Sequence, residues 1–235
     1  MKPFTVMLIF LLFLWAIFGC TGQEKKPERR EIEINASDGA MISAFYYKNS
    51  TKGAGIVLVH MLGKDKSSWD DYVPVLVSRG YDVIAIDLRG HGKSSGDYEL
   101  FQMAEFRRMP FDVKAGADFL RDNGNSRVYL IGASIGSSAV LKEAASDGAI
   151  EKIVLLSPGL DYNWMNIEQD AANYRGKAYL LASKEDEYSQ SSLLRLKNLM
   201  GYNARAETYE GYGHGTQMLS KTHLMNAIAD WLDSG

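Results

Sequence analysis

Five residues near the middle of the chain, Gly132-Ala133-Ser134-Ile135-Gly136, have the spacing of a turn that presents a serine nucleophile. An apolar, β-favouring run (127–131) precedes them and a segment rich in small residues (137–145) follows, so we predict a strand, a sharp turn and a helix. A serine at the tip of such a turn needs a positive φ, which costs about 1–3 kcal/mol. The N–H of Ile135 would then lie at a helix N-terminus, where it can bind a developing oxyanion. The alternative is a buried serine in a glycine-rich turn.

A serine nucleophile needs a base, and the sequence contains four histidines. His214 lies in a glycine-rich loop (210–215), and flexible glycines would let its imidazole reach across a cleft. His60 ends a predicted strand, His91 lies in another loop, and His223 lies within the last predicted helix. We predict that His214 is the general base; the alternative is a loop histidine bonded to the backbone.

The base in turn needs a carboxylate that fixes the imidazole tautomer and stabilises the imidazolium. The acidic segment 184–187 follows a predicted strand, and Asp186 within it is our candidate. Nucleophile, acid and histidine then follow one another in an order known for serine hydrolases. Glu185 in the same segment and Asp161, after an earlier strand, remain alternatives.

The elements that must position these residues alternate between apolar runs and helical patterns. A half-exposed hairpin is predicted at 31–47, followed by strands at 55–60, 83–86, 128–131, 153–156, 178–182 and 204–209. Helices are predicted at 67–78, 110–123, 134–145, 189–200 and 216–231. This alternation predicts an α/β fold with a mostly parallel central sheet flanked by helices, and a binding crevice at the carboxyl ends of the strands.

In this order, the motifs resemble those of the α/β-hydrolase family. His60-Met61-Leu62-Gly63 is similar to that family's His-Gly loop, and the segment 87–94 (DLRGHGKS) is similar to its Asp-x-Arg-Gly-His-Gly-x-Ser loop. The resemblance covers residues 31–233. It implies a serine hydrolase with a Ser134, Asp186 and His214 triad, and we predict that it cleaves carboxylic esters. No metal or cofactor is predicted, because the sequence has no Cys/His/Asp cluster at ligand spacing and no phosphate loop.

The resemblance also implies a second oxyanion donor, the N–H of Leu62, acting together with that of Ile135. The glycine usual after the histidine is replaced here by Met61. If this position requires a positive φ, methionine would resist it, and the Met61 N–H would be the alternative donor. His60 and His91 are implied to brace loops, with a substrate contact as the alternative for His91.

Only residues 157–176 separate two of the predicted strands, which leaves no room for a large cap domain. Tyr162 and Trp164 in that segment are our candidate substrate contacts, with core packing as the alternative. The loop 95–109 is a candidate flap. Peptide or thioester cleavage on the same triad remains open, as does a surface binding protein that keeps the fold without catalysis.

The 235 residues are 46% hydrophobic and 23% charged, with a net charge of −3, which is typical of a globular protein and offers no basic field for nucleic acid. Lys2 and the apolar run 4–18 are typical of a secretory signal. The single cysteine, Cys20, ends that run as in a bacterial lipoprotein signal. We therefore predict a signal peptide or signal anchor (1–20), a polar tether (21–30) and a hydrolase domain (31–235). The protein would be exported and held at the membrane only through a lipidated Cys20.

Overall fold

The computed structural model describes residues 27–49 and 51–234, and these form one central sheet covered by helices on both faces. The strands are β1 (Arg29–Asn35), β2 (Met41–Tyr47), β3 (Ala54–Val59), β4 (Asp82–Ile86), β5 (Arg127–Ala133), β6 (Lys152–Leu156), β7 (Asp161–Tyr162), β8 (Met165–Asn166), β9 (Lys177–Ser183) and β10 (Ala204–Tyr209). The helices are α1 (Val73–Ser78), α2 (Met103–Phe106), α3 (Met109–Asp122), α4 (Ile135–Ser146), α5 (Glu168–Asn173), α6 (Glu187–Met200) and α7 (Thr222–Asp233). Short 3₁₀ helices lie at Lys66–Trp69, Tyr98–Leu100, Gly201–Asn203 and Gly215–Ser220.

Eight strands form the central sheet in the order β1-β2-β4-β3-β5-β6-β9-β10, while β7 and β8 form a separate hairpin. The pairings from β4 through β3, β5, β6 and β9 to β10 are all parallel, and only the two pairings of β2, with β1 and with β4, are antiparallel. The predicted mostly parallel sheet is therefore confirmed. The carboxyl ends of β5, β6, β9 and β10 lie next to one another at a single edge, which is where a parallel sheet places a binding crevice.

Continuous apolar strands divide the core into two layers, because successive side chains of a strand point to opposite faces. In β3, Val57 and Val59 belong to the buried cluster that includes residues of α3, α4 and α6, whereas Ile56 and Leu58 belong to the cluster that includes residues of α1 and α7. All six residues of β3 are buried. A strand buried on both faces cannot show polar alternation, which explains the unbroken apolar runs.

The largest differences from the predicted element boundaries concern β1, the helix predicted at 67–78 and the helix predicted at 216–231. The strand β1 begins at Arg29, inside the predicted tether, because the pairing with β2 continues to Tyr47 and the Arg29 guanidinium stacks on Phe45 at 4.2 Å. The predicted helix 67–78 is a 3₁₀ turn followed by the shorter α1. The predicted helix 216–231 is likewise divided, since Lys221 adopts an extended conformation (φ −105°, ψ 105°) between a 3₁₀ segment and α7.

The loop after β4 is fixed by buried ion pairs. Arg89 bridges Asp38 at 2.7 Å and Asp112 at 2.6 Å. Burial raises the pKa of Asp112 to about 6, against the opposing effect of Arg89. Lys66 donates to Asp87 at 2.5 Å. Removing one partner of such a buried pair typically costs about 3–5 kcal/mol, so these contacts hold the loop rigidly against the sheet.

The predicted leader, the tether up to residue 26 and Cys20 lie outside the described residues, so the export and lipidation of this protein stay predictions. Between residues 27 and 234, apart from residue 50, no helix combines the length and the apolar character needed to cross a membrane.

Candidate active site

Ser134 lies at a sharp turn between β5 and α4, with φ 52° and ψ −120°. Close backbone packing requires the glycines on either side of it. A Cβ at Gly132 would lie 2.4 Å from the carbonyl oxygen of Gly136, and a Cβ at Gly136 would lie 2.5 Å from that of His60. The Ser134 N–H donates to the carbonyl of Leu156 at 2.8 Å, which ties the turn to the neighbouring strand β6. The predicted strand, turn and helix are therefore present, and the serine has the strained backbone expected of them.

A short hydrogen bond joins the candidate base to the candidate acid. His214 Nδ1 lies 2.6 Å from Asp186 Oδ2, and the two side chains are 35% and 17% exposed. Asp186 is also the N-cap of α6, and its Oδ1 accepts from the Ser189 N–H at 3.2 Å. Partial burial acts to raise the pKa of Asp186, but hydrogen bonds from Ser189 and His214 outweigh it and lower that pKa. An ionised Asp186 engages Nδ1, which leaves Nε2 of His214 as the nitrogen that can accept a proton.

The two alternative carboxylates lie elsewhere. Glu185 accepts hydrogen bonds from the Ser183 hydroxyl and, at 3.0 Å, from the N–H of Gly211, so it braces the histidine loop from below. Asp161 is exposed at the start of β7, where its main chain bonds the Tyr188 hydroxyl. Asp186 is thus the one of the three candidates whose carboxylate bonds the imidazole of His214.

Tyr162 lies beside the candidate base. Its ring meets the ring of His214 edge-on, with 6.4 Å between centroids. Burial raises the pKa of Tyr162, whereas the hydroxyls of Ser189 and Ser134 act to lower it. The phenol oxygen lies 3.1 Å from Ser189 Oγ. Ser134 follows β5 and His214 follows β10, so both lie at the same carboxyl edge of the sheet as the ring of Tyr162.

The two predicted oxyanion donors occupy different kinds of turn. Ile135 is the first residue of α4, so its N–H has no partner within the helix. Leu62 lies in a tight turn in which the Lys64 N–H donates to the Met61 carbonyl at 3.2 Å. The positive φ of this turn, 68°, belongs to Gly63. Met61 is not among the described residues with a positive φ, so its side chain does not strain the backbone of this turn.

Met61 instead packs against the histidine loop. A Cβ at Gly215 would lie 2.7 Å from Met61 Sδ, and the Thr216 hydroxyl lies 3.6 Å from the same sulfur. The methionine that replaces the usual glycine therefore supports the backbone next to His214, and glycine at position 215 makes this close approach possible.

His60 and His91 are buried and brace loops, as the resemblance implied. His60 Nδ1 lies 2.8 Å from the Met61 carbonyl, and its Nε2 accepts from the Leu88 N–H at 3.0 Å, so the ring joins the loops after β3 and β4. Burial lowers the pKa of His60 to about 4, and the ring is neutral at physiological pH. His91 stacks on Tyr98 with 4.3 Å between centroids.

The second predicted substrate contact, Trp164, lies at the tip of the β7–β8 hairpin and is 49% exposed. Its φ of 63° is unusual for a large side chain. Its carbonyl accepts from Arg107 Nε at 3.2 Å, and its ring lies 6.0 Å from that of Phe106. The predicted flap segment and the β7–β8 hairpin therefore meet at Trp164.

Polar residues that the sequence analysis did not single out also support the site. Gln217 Oε1 accepts from the His214 N–H at 3.0 Å, and Ser157 Oγ accepts from the Gly215 N–H at 2.9 Å. The sequence position of Ser157 could have indicated its role, because Ser157 directly follows the buried strand β6 at the edge of the sheet where the crevice is predicted. A polar depression of about 480 Å³ opens beside these loops, lined in part by Gly63, Lys64 and Thr216.

Parts of the sequence are similar to a known protein family and to curated proteins. Residues 50–197, more than half of the chain, match the family described as serine aminopeptidase, S33. A non-heme haloperoxidase from Rhodococcus erythropolis is 33% identical over 125 residues, which are 52% of this chain and 42% of the haloperoxidase. The chain therefore spans only about two fifths of the length of that curated relative.

Solved structures share the whole fold at low sequence identity. The esterase Pf2001 from Pyrococcus furiosus superposes with a TM-score of 0.74 at 17% identity, covering 88% of this chain and 92% of the esterase. The esterase RhEst1 from Rhodococcus sp. ECU1013 superposes with a TM-score of 0.73 at 17% identity, covering 87% and 98% of the two chains. At this identity the likeness establishes the architecture.

Proposed function

The chain belongs to the serine aminopeptidase S33 family of α/β hydrolases, and we propose that it is a serine hydrolase that cleaves small carboxylic esters through an acyl-enzyme on Ser134. The observation that carries this proposal is the short bond between His214 and Asp186 at the sheet edge where the strained Ser134 also lies. Strain of this kind is retained where the surrounding structure holds it for function.

The proposed mechanism follows from these positions. Ser134 Oγ attacks the ester carbonyl carbon while Nε2 of His214 takes its proton, and Asp186 stabilises the resulting imidazolium. The N–H groups of Ile135 and Leu62 bind the oxyanion, each such donor contributing roughly 3 kcal/mol. His214 then gives the proton to the leaving alkoxide, so the alcohol departs. Water attacks the acyl-enzyme with the same proton transfers and releases the acid.

The substrate class is proposed from the structural neighbours and from the segment after β6. Esterase is the printed description of the Pyrococcus and Rhodococcus structural neighbours, which favours esters. The segment after β6 contains only the β7–β8 hairpin and the short α5, so a small or medium ester can reach Ser134 from solvent. Tyr162 and Trp164 are the proposed substrate contacts. The family description keeps an aminopeptidase activity as the second candidate.

A fluorophosphonate probe tests the nucleophile directly. The full chain is expected to be labelled and to hydrolyse 4-nitrophenyl acetate, and Ser134→Ala is expected to lose the label and at least about 10⁴-fold in kcat. The matched control is Ser146→Ala on α4, whose hydroxyl bonds only the Glu143 carbonyl at 2.9 Å. Equal labelling of the wild type and Ser134→Ala would refute the proposal. Aminoacyl 4-nitroanilides and acyl thioesters assayed in parallel separate the ester from the peptide and thioester alternatives.

A further inference from the structure

Ser157, the residue that follows β6, has a backbone conformation that needs an explanation. It is fully buried, and its φ is 48°, in the left-handed region that a residue with a Cβ seldom adopts. Glycine would fit this backbone without strain. A serine here therefore indicates that its hydroxyl has a function that offsets the strain.

Every polar group of Ser157 is engaged. Its N–H donates to the Leu181 carbonyl at 2.7 Å, and its carbonyl accepts from the Tyr162 hydroxyl at 3.3 Å. Its Oγ accepts from the Gly215 N–H at 2.9 Å and lies 3.6 Å from Met218 Sδ. The serine thereby joins the end of β9, the side chain of Tyr162 and the loop that carries the histidine.

Its position in the sheet places these contacts between all three members of the candidate triad. The strand β6 lies between β5, which leads to Ser134, and β9, which leads to Asp186. The carbonyl of Leu156, one residue earlier, accepts from the Ser134 N–H at 2.8 Å. The peptide between residues 156 and 157 is thus bonded on one side to the nucleophile turn and on the other to Leu181 of β9, and the Ser157 side chain bonds the base loop.

The histidine loop needs such an anchor. His214 lies between Gly213 and Gly215, both with positive φ, and glycines restrict the backbone least. The bond from His214 N–H to Gln217 is local, since it spans three residues. The bond from Gly215 N–H to Ser157 Oγ joins segments 58 residues apart and is buried, so it fixes the loop relative to the sheet.

We propose that Ser157 is a positioning residue for the general base: its hydroxyl holds the Gly215 N–H and so aligns His214 with both Asp186 and Ser134. This inference rests on the proposed serine-hydrolase function. Ser157 contacts no reacting atom, and its effect passes through the backbone of residues 214 and 215.

The test compares Ser157→Ala and Ser157→Gly in the full chain. Both remove the hydroxyl, but glycine also removes the strain, so Ser157→Gly stays folded where alanine fails. Each is expected to lower kcat for 4-nitrophenyl acetate about 10- to 100-fold, the loss typical of a catalytic group misplaced by 1 Å. KM is expected to change less than about twofold, and the acidic limb of the pH–rate profile to move to lower pH, because a loosened Asp186 contact stabilises the imidazolium less.

Ser94→Ala is the matched control. Ser94 is also buried, and its Oγ accepts from the Ser43 N–H at 2.9 Å across 51 residues, but it lies in the loop after β4. We expect this variant to lose stability while its pH–rate profile and KM stay those of the wild type. A kcat for Ser157→Gly equal to that of Ser94→Ala, with an unmoved acidic limb, would overturn the positioning role. A wild type that neither hydrolyses esters nor takes up the fluorophosphonate would overturn the proposed function instead.

Discussion

At the scale of single residues, Asp186 is distinguished from the other two candidate acids by its contact with the proposed base, His214. A charge-assisted bond of 2.6 Å orients the ring and favours its protonated form in the transition state. Hydrogen bonds outweigh partial burial and lower the pKa of Asp186, so the carboxylate is ionised at the neutral pH at which the histidine must act. The residue therefore carries its charge before substrate binds.

Replacing this carboxylate tests the assignment. Asp186→Asn keeps the shape but presents an amide to Nδ1, and we expect kcat for 4-nitrophenyl acetate to fall by about 10³–10⁴-fold, as expected when the tautomer is wrong. Asp161→Asn, the matched control, is expected to stay within about twofold of the wild type, because Asp161 is exposed and bonds Tyr188 only through its main chain. Loss of activity in Asp161→Asn alone would reverse the assignment.

The sequence was informative about residues wherever chemistry restricts residue type and spacing. Ser134, Asp186 and His214 each follow a strand of the same sheet, and the structure joins the last two. It was not informative about supporting contacts, because these depend on which loops meet in space. Glu185, an alternative acid, braces the N–H of Gly211, and nothing in the local sequence distinguishes that task from catalysis.

At the scale of elements, the turn at Ser134 depends on how closely α4 approaches the sheet. A Cβ at Gly136 would lie 2.5 Å from the carbonyl oxygens of both Val59 and His60, and backbone atoms cannot yield as a flexible side chain can. The strand β3 and the start of α4 would have to separate. The N–H of Ile135, which lies at this helix start, would move with them.

Gly136→Ala is therefore expected to lower the free energy of unfolding by about 1–3 kcal/mol, the usual cost of overpacking. The measurement is urea denaturation followed by circular dichroism. Gly148→Ala is the control, since a Cβ there meets no atom within 4 Å, and it is expected to stay within about 0.5 kcal/mol of the wild type. Equal stability of the two variants would contradict the close packing at the turn.

Elements were predictable where burial on both faces produces unbroken apolar runs, as in β3 and β6. The break of the last predicted helix at Lys221 was not predictable from the sequence, because it depends on tertiary contacts. The N–H of Gly215 is held by Ser157, and Met218 and Leu219 are buried, so this segment follows the active edge before α7 begins. The helical spacing of apolar residues in the sequence continues through Lys221, so it gives no sign of the break.

At the scale of the whole molecule, the layer of helices α3 and α4 contains an acidic side chain whose ionisation opposes folding. Glu143 is buried on α4, and desolvation raises its pKa to about 7, with Asp147 and Asp118 acting in the same direction and Lys114 and Arg121 against it. The sequence predicted that the sheet is mostly parallel, but it did not predict the order of the strands. The cluster of charges around Glu143 was not predictable either, because it depends on the packing of α3 against α4, which no sequence motif indicates.

The stability of the fold is therefore expected to depend on the ionisation of Glu143. Its pKa is about 7 in the native state, against an ordinary value of 4.5. Below pH 4.5 Glu143 is protonated in both the folded and the unfolded state, so its ionisation does not lower the free energy of unfolding. As pH rises from there to about 7, the unfolded state releases the proton first, so stability falls and the full penalty remains above pH 7.

Glu143→Gln removes that penalty. We expect it to raise the free energy of unfolding by ~1 kcal/mol at pH 8, a value reduced for partial hydration of the carboxylate, and to leave it unchanged at pH 4. Thermal unfolding should show a Tm about 2–4 °C higher at pH 8 for a chain of this length. Glu33→Gln, at an exposed position of β1, is the control and should shift Tm at neither pH. A Glu143→Gln variant that is less stable than the wild type at pH 8 would show that the ionised carboxylate contributes to folding through Lys114 and Arg121, against the sign derived from its burial.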